Sequence, residues 1–145
     1  GIPDHILLKP GPLSPEEWSV MRSHPRIGAD IIGEHRSTVL RLAREIALGH
    51  HEKWDGSGYP EGLAGEAIPL PARLMALADV FDALISKRAY KPAFPLDRAT
   101  AIINEGRGQH FDPDVVDAYL AHLDEFAAIS ARYADLAEQT LNATA

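Results

Sequence analysis

The chain has 145 residues, 46% of them hydrophobic and 24% charged, with 14 Lys and Arg against 21 Asp and Glu for a formal net charge of −7, the size and balance of one globular domain or most of one. With no cysteine in the sequence, a disulfide framework, a thiolate zinc site and cysteine nucleophilic catalysis are excluded; any metal must use His and carboxylate ligands, and a reducing compartment is expected. The longest unbroken apolar stretch, Leu74 to Ala78, falls far short of the roughly 20 residues that cross a bilayer, and the acidic balance argues against duplex nucleic acid while leaving room for a local cationic pocket.

Residues 1–13 carry Pro3, Pro10 and Pro12 and read as an extended or turning arm; the start at Gly1 rather than Met is what a fragment would show. Ser14-Pro15-Glu16-Glu17 supplies an N-cap, a proline at the first helical position and a capping-box glutamate. Pro25 ends that helix near Ser23, so His24 stands at a corner before a second short helix, residues 26–32. A third helix starts at Ser37, and Val39, Leu42, Ala43, Ile46 and Ala47 form one stripe that continues into His50.

Four glycines and three prolines between 53 and 71 break helix and strand alike and predict a long ordered loop. The next helix, about Ala72 to Ser86, is apolar on nearly every side and is expected to be the central one. Asp97 is expected to cap a helix reaching about Glu105, and Asp112-Pro113 to open a last one through Leu123, with a helical tail over 124–145. No segment alternates with period two and no repeat is present, so the fold class is all-α with a single core.

The chemistry concentrates at His50-His51-Glu52, on a helix end that opens into Asp55-Gly56-Ser57-Gly58-Tyr59-Pro60. Adjacent histidines point about 100° apart on an ideal helix, so they converge on one metal only if the backbone bends between them. The helix-to-loop transition supplies that bend, and His24 is the natural third nitrogen ligand. For His50 alone the plainer reading is a core histidine bonded to backbone groups. Glu52 reads either as a carboxylate that receives the other ring N–H of a ligand imidazole or as a surface glutamate. His5, His35, His110 and His122 read as surface residues.

Asp79, inside the most apolar helix, is expected to be buried and therefore to need a metal or an ion pair with Arg73 or Arg44. Asp82 shares its face and reads as a capping, salt-bridging or orienting carboxylate. Arg88 and Lys91 flank Tyr90 and suit phosphate oxygens, or are solvated cations. Gly58 and its neighbours permit close backbone approach, and Tyr59-Pro60 is a stiff projection suited to base stacking or partner contact. No P-loop, serine nucleophile elbow or dinucleotide fingerprint occurs.

The segment from His50 to Pro60, together with Ala78-Asp79-Val80-Phe81-Asp82-Ala83-Leu84, Arg88-Ala89-Tyr90-Lys91 and Phe111-Asp112-Pro113, resembles the HD-GYP family over about residues 1–123. That resemblance implies a partial HD-domain-like helical bundle with a long Gly-Tyr-Pro loop. It also implies a cytoplasmic bacterial phosphodiesterase that hydrolyses cyclic di-GMP to pGpG or GMP, following a receiver or sensor domain in a signalling protein. It makes His24, His50 and His51 ligands of one ion in a cluster of two or three, iron or manganese, and Asp79 a ligand of the neighbouring ion. Arg88 and Lys91 would hold phosphate, while Gly58, Tyr59 and Pro60 would shape a loop that meets substrate or a diguanylate cyclase (GGDEF) partner. The His-Asp pair that names the family is absent from these 145 residues, so this chain by itself is expected to be inactive. Two other readings stay open: a non-catalytic nucleotide-binding or interaction module, and a phosphohydrolase of another nucleotide.

Overall fold

In a computed structural model, which describes residues 1–86 and 93–132, the chain forms short helices whose boundaries follow its caps and prolines. A single turn, α1 (Asp4–Leu7), leads into α2 (Pro15–Met21). At the start of α2 the Ser14 hydroxyl accepts from the Glu17 N–H and the Glu17 carboxylate accepts from the Ser14 N–H at 2.7 Å, the reciprocal cap read from the sequence. Then follow α3 (His24–Ile32), α4 (Thr38–Gly49), α5 (Leu70–Ile85), α6 (Leu96–Glu105) and α7 (Pro113–Ala121), and residues 123–132 are helical as well. No strand occurs among the described residues, only two isolated bridges.

Three boundaries differ from the sequence reading, two of them at a proline. Pro25 lies inside the first turn of α3 instead of separating two elements, because a first-turn residue has no intrahelical N–H bond to lose. For the same reason α5 begins two residues earlier than expected, with Pro71 in its first turn. Asp97 sits within the first turn of α6, one residue inside its start, where its charge meets the helix N-terminus but caps no N–H.

The core lies between α5, α6 and α7, where Leu77, Phe81, Ile103, Phe111, Val115, Val116 and Tyr119 are buried together. The rings of Phe81, Tyr119 and Phe126 meet edge to face, and the Tyr119 hydroxyl is paired with Thr100 at 2.9 Å. On the opposite flank α3, α4 and α5 approach through small residues. A Cβ placed on Gly28 would stand 3.5 Å from that of Ala47, and one on Gly49 only 2.8 Å from that of Ala72.

Helix α5 packs against α4, α6 and α7, yet it is one-sided. Ala72, Ala76, Leu77 and Phe81 are buried, whereas Leu70, Leu74 and Met75 are exposed, as are Ala78 and Asp79. The expectation of a buried Asp79 is therefore wrong: Leu77, Val80 and Phe81 turn to the core, while Asp79 shares with Leu74, Met75 and Ala78 a face that no described element covers. The proposed pairing with Arg73 fails too, because Arg73 reaches Asp112 at 2.6 Å.

That Arg73–Asp112 pair ties α5 to the start of α7. Asp112 spends one oxygen on the guanidinium and the other on the N–H of Asp114, capping α7. With the Asp112 side chain 3% exposed, Arg73→Ala strands a buried carboxylate, and urea denaturation should show a loss of about 3–5 kcal/mol.

Candidate metal centre

Three imidazoles come together where two helix ends meet. His24 is the first residue of α3, and His50 is the C-cap of α4 with helical angles (φ −66°, ψ −12°); His51 follows in the turn. The backbone thus leaves the helix between the adjacent histidines, which lets rings that would diverge on a continued helix share one side. The three offer nitrogen atoms that all lie within 4.8 Å of one another, and each residue is partly buried.

Backbone carbonyls set the direction of two of these rings. The Nδ1–H of His24 donates to the Met21 carbonyl at 2.8 Å, and that of His50 to the carbonyls of Ala47 and Ile46 at 3.0 and 3.1 Å. A carbonyl can only accept, so each neutral ring carries its proton on Nδ1 and turns an Nε2 lone pair inward. The backbone bonds that made a plain core histidine of His50 hold for Nδ1 alone. Nε2 of His24 stands 3.3 Å from Nε2 of His50 and 3.0 Å from Nε2 of His51.

Two ligands at about 2.1 Å from one ion, subtending angles between octahedral and tetrahedral, are separated by about 3.0–3.4 Å. The imidazoles fit a transition-metal ion, whose charge would also relieve the repulsion between facing lone pairs. Burial, then the neighbouring His50 and His24 and finally His110, depress the His51 pKa to about 4. His51 is thus neutral, as a metal ligand must be, throughout the physiological range.

The glycine-rich loop packs onto this cluster. The Tyr59 ring stacks on His51 at 4.8 Å with 24° between planes, and the Tyr59 N–H donates to the His51 carbonyl at 3.2 Å. Such an approach requires Gly58 for lack of space: an added Cβ would lie 2.4 Å from the Lys53 nitrogen and 2.6 Å from both the Glu52 Cα and the His51 oxygen. Gly56 and Gly62 meet a different need, with φ of +82° and +68° at the neck of the loop.

Glu52 departs from both of its sequence readings. It is 2% exposed, and its two oxygens accept the N–H groups of Glu61 at 2.7 Å and Leu63 at 3.0 Å. It therefore pins the far side of the loop, and the N–H groups that orient the rings go to carbonyls instead. Asp82 accepts from the Ser86 hydroxyl at 3.0 Å, at the end of its own helix.

Asp79 is exposed on α5 and lies outside the three-residue cluster. Its charge is nevertheless felt at Tyr59. Burial raises the Tyr59 pKa; Arg22 lowers it and Asp79 raises it further. Arg88 and Lys91 lie outside the described residues.

Two neighbours were not legible as site residues. His110, read as a surface histidine, is half-buried, stacked on Phe111 at 4.3 Å, and has its pKa lowered by burial and Lys53. It is carried here by backbone bonds from Trp54 and Asp55 to the 109–110 turn, which no local pattern announces. Arg22 lies over the Tyr59 ring at 5.4 Å and the Trp18 ring at 5.9 Å; the four-residue spacing from Trp18 was its available signal.

Residues 1–115 match the family model described as HD domain. The chain is 62% identical over 142 residues to a cyclic di-GMP phosphodiesterase of Vibrio cholerae serotype O1, covering 94% of this chain and 29% of that protein. It is 51% identical over 138 residues to the cyclic di-GMP phosphodiesterase response regulator RpfG of Xanthomonas campestris pv. campestris, covering 90% of this chain and 36% of that one. Among solved structures, a cyclic GMP-AMP specific phosphodiesterase of V. cholerae superposes with a TM-score of 0.61 at 27% identity, over 83% of this chain and 29% of its own. The chain thus spans about a third of the length of these relatives or less.

Two outcomes follow from the site. Gly58→Ala should displace the loop from His51, seen as lost protection of the Tyr59 amide in hydrogen exchange and weaker metal binding. For the metal-free protein, the His51 pKa lies below its unfolded value of 6.5, so the unfolded chain binds the extra proton between the two values. Its contribution to stability is complete above pH 6.5 and is lost as the pH falls towards 4; chemical denaturation of chelator-treated protein should show that decline, and His51→Gln should flatten it.

Proposed function

Because the chain belongs to the HD domain family, in its HD-GYP group, we propose that it carries the imidazole side of the metal centre of a cyclic di-GMP phosphodiesterase. The observation that carries this reading is the convergence of His24, His50 and His51 with their Nε2 atoms facing inward. The names of the relatives supply the substrate class.

In this proposal the three imidazoles hold one ion, iron or manganese, in a cluster of two or three, and Asp79 holds its neighbour from the exposed face of α5. When bound, such ions supply Lewis acidity and lower the pKa of water, the two requirements of phosphodiester hydrolysis. The chain's own residues do the positioning. The carbonyls of Met21, Ala47 and Ile46 hold the ring tautomers, Glu52 fixes the loop, and Tyr59 shields one face of His51. Arg88 and Lys91 take substrate phosphate, and the projecting Tyr59-Pro60 segment meets substrate or a GGDEF partner. Turnover belongs to the complete cytoplasmic protein, in which a receiver or sensor domain precedes this one; that one relative is named a response regulator is in keeping with a signalling role. The absence of a His-Asp dipeptide supports inactivity of these residues alone.

A second reading, hydrolysis of a mixed guanine-adenine cyclic dinucleotide, is favoured by the likeness to the cyclic GMP-AMP specific enzyme.

The decisive experiment uses the full-length protein loaded with iron or manganese. Hydrolysis of cyclic di-GMP in preference to cyclic GMP-AMP in a competition panel is the expected result; a metal-replete protein with no turnover of either would overturn the assignment. His51→Ala should cost most of the bound metal measured by elemental analysis, and unchanged metal content would contradict the ligand set. Asp79→Asn should lower the metal-to-protein ratio without emptying the histidine site.

A further inference from the structure

From His51 a chain of ring and cation–ring contacts leads to Trp18. Tyr59 lies on His51 at 4.8 Å, the Arg22 guanidinium lies over Tyr59 at 5.4 Å, and the same guanidinium lies over Trp18 at 5.9 Å. Trp18, at the outer end, is 45% exposed. Two aromatic faces thus restrict a side chain that would otherwise sample many rotamers, leaving the hydrogen-bonding edge of its fork to an external acceptor.

Arg22 also has no carboxylate partner among the described residues. Its neighbour Arg26 is neutralised by Glu61, and Lys9, Arg73 and Arg107 are likewise paired. Lys53, Arg36 and Arg98 enter no ion pair among the described residues either, but Arg22 is the exposed cation that lies over the ring stacked on His51. It matters for a substrate with two phosphodiesters: while one is held at the ions, the other stays anionic in a chain of net negative charge and gains from a counter-charge.

We propose that Arg22 is a substrate-binding residue, whose guanidinium takes the phosphate of the cyclic dinucleotide that is not being cleaved, with the exposed face of Trp18 beside it for a base. The substrate then spans from the imidazole cluster to the C-terminal end of α2. This assignment rests on the cyclic dinucleotide phosphodiesterase reading, and it adds a residue that neither the histidine cluster nor the Gly-Tyr-Pro loop contains.

The test compares wild-type, Arg22→Ala and Arg22→Lys full-length proteins, loaded with manganese, on cyclic di-GMP and on bis(4-nitrophenyl) phosphate, which has one phosphodiester only. For Arg22→Ala, KM for cyclic di-GMP should rise on the order of tenfold with kcat within about threefold, and kcat/KM for the small diester should not change. Arg22→Lys, which keeps the charge without the fork, should fall between. Unchanged KM, or an equal loss on both substrates, would overturn the proposal. Calorimetric binding of cyclic di-GMP is measured in parallel. A wild type that binds without turnover removes the phosphodiesterase reading and leaves Arg22 to be judged by the affinity ratio; a wild type that neither binds nor cleaves removes both.

Discussion

Three carbonyls of the main chain organise this site. By accepting the Nδ1 protons of His24 and His50, carbonyls at the ends of α2 and α4 decide which nitrogen of each ring is left with a lone pair and where it points. Without them either ring could take the other tautomer and turn away, since an exposed imidazole rotates freely about its side-chain bonds. Met21 and Ala47 belong to helix ends, where carbonyls lack an intrahelical donor, while the Ile46 carbonyl also accepts the His50 N–H at 3.0 Å. The same unsatisfied groups that make a helix terminus costly thereby become the support of a ligand, and a side chain from either flank needs no carboxylate to hold it.

The loop beside the cluster is held by the complementary device. Here the orphan groups are N–H donors, those of Glu61 and Leu63, and the acceptor is a carboxylate with almost no contact with water. A buried anion is tolerated because each of its oxygens has a donor. The loop can consequently be long and glycine-rich and still present Tyr59 in a defined place. Its other edge is fixed where Trp54 and Asp55 donate to the carbonyls of His110 and Gln109.

Much of the architecture was legible because helix starts are written locally. The Ser14 cap and Asp112-Pro113 state where a helix begins within four consecutive residues, and the histidine pair at a helix end pointed to the place where His24 joins it. What was not legible depended on partners distant in sequence. Asp79 looked buried because its neighbours are apolar, but composition does not say which face of a helix has something to pack against. Glu52 acts on residues 9 and 11 positions later, a relation that exists only once the loop has closed. His110 reaches the site from the far end of the chain through backbone bonds that carry no side-chain signature. Pro25 misled for another reason: a proline marks a helix start as readily as an end, and only the geometry of the preceding corner decides.

The contact between Gly49 and Ala72 sets a dimension of the whole centre. Gly49 immediately precedes the histidine pair, Ala72 lies in the first turn of α5, and a Cβ on the former would come within 2.8 Å of the latter's. These two residues behave like a gauge block between the helix that ends in imidazole and the helix that bears Asp79. An added methyl at Gly49 would push the two helices apart by about 1 Å before that approach became an ordinary contact, roughly half the length of a metal–nitrogen bond.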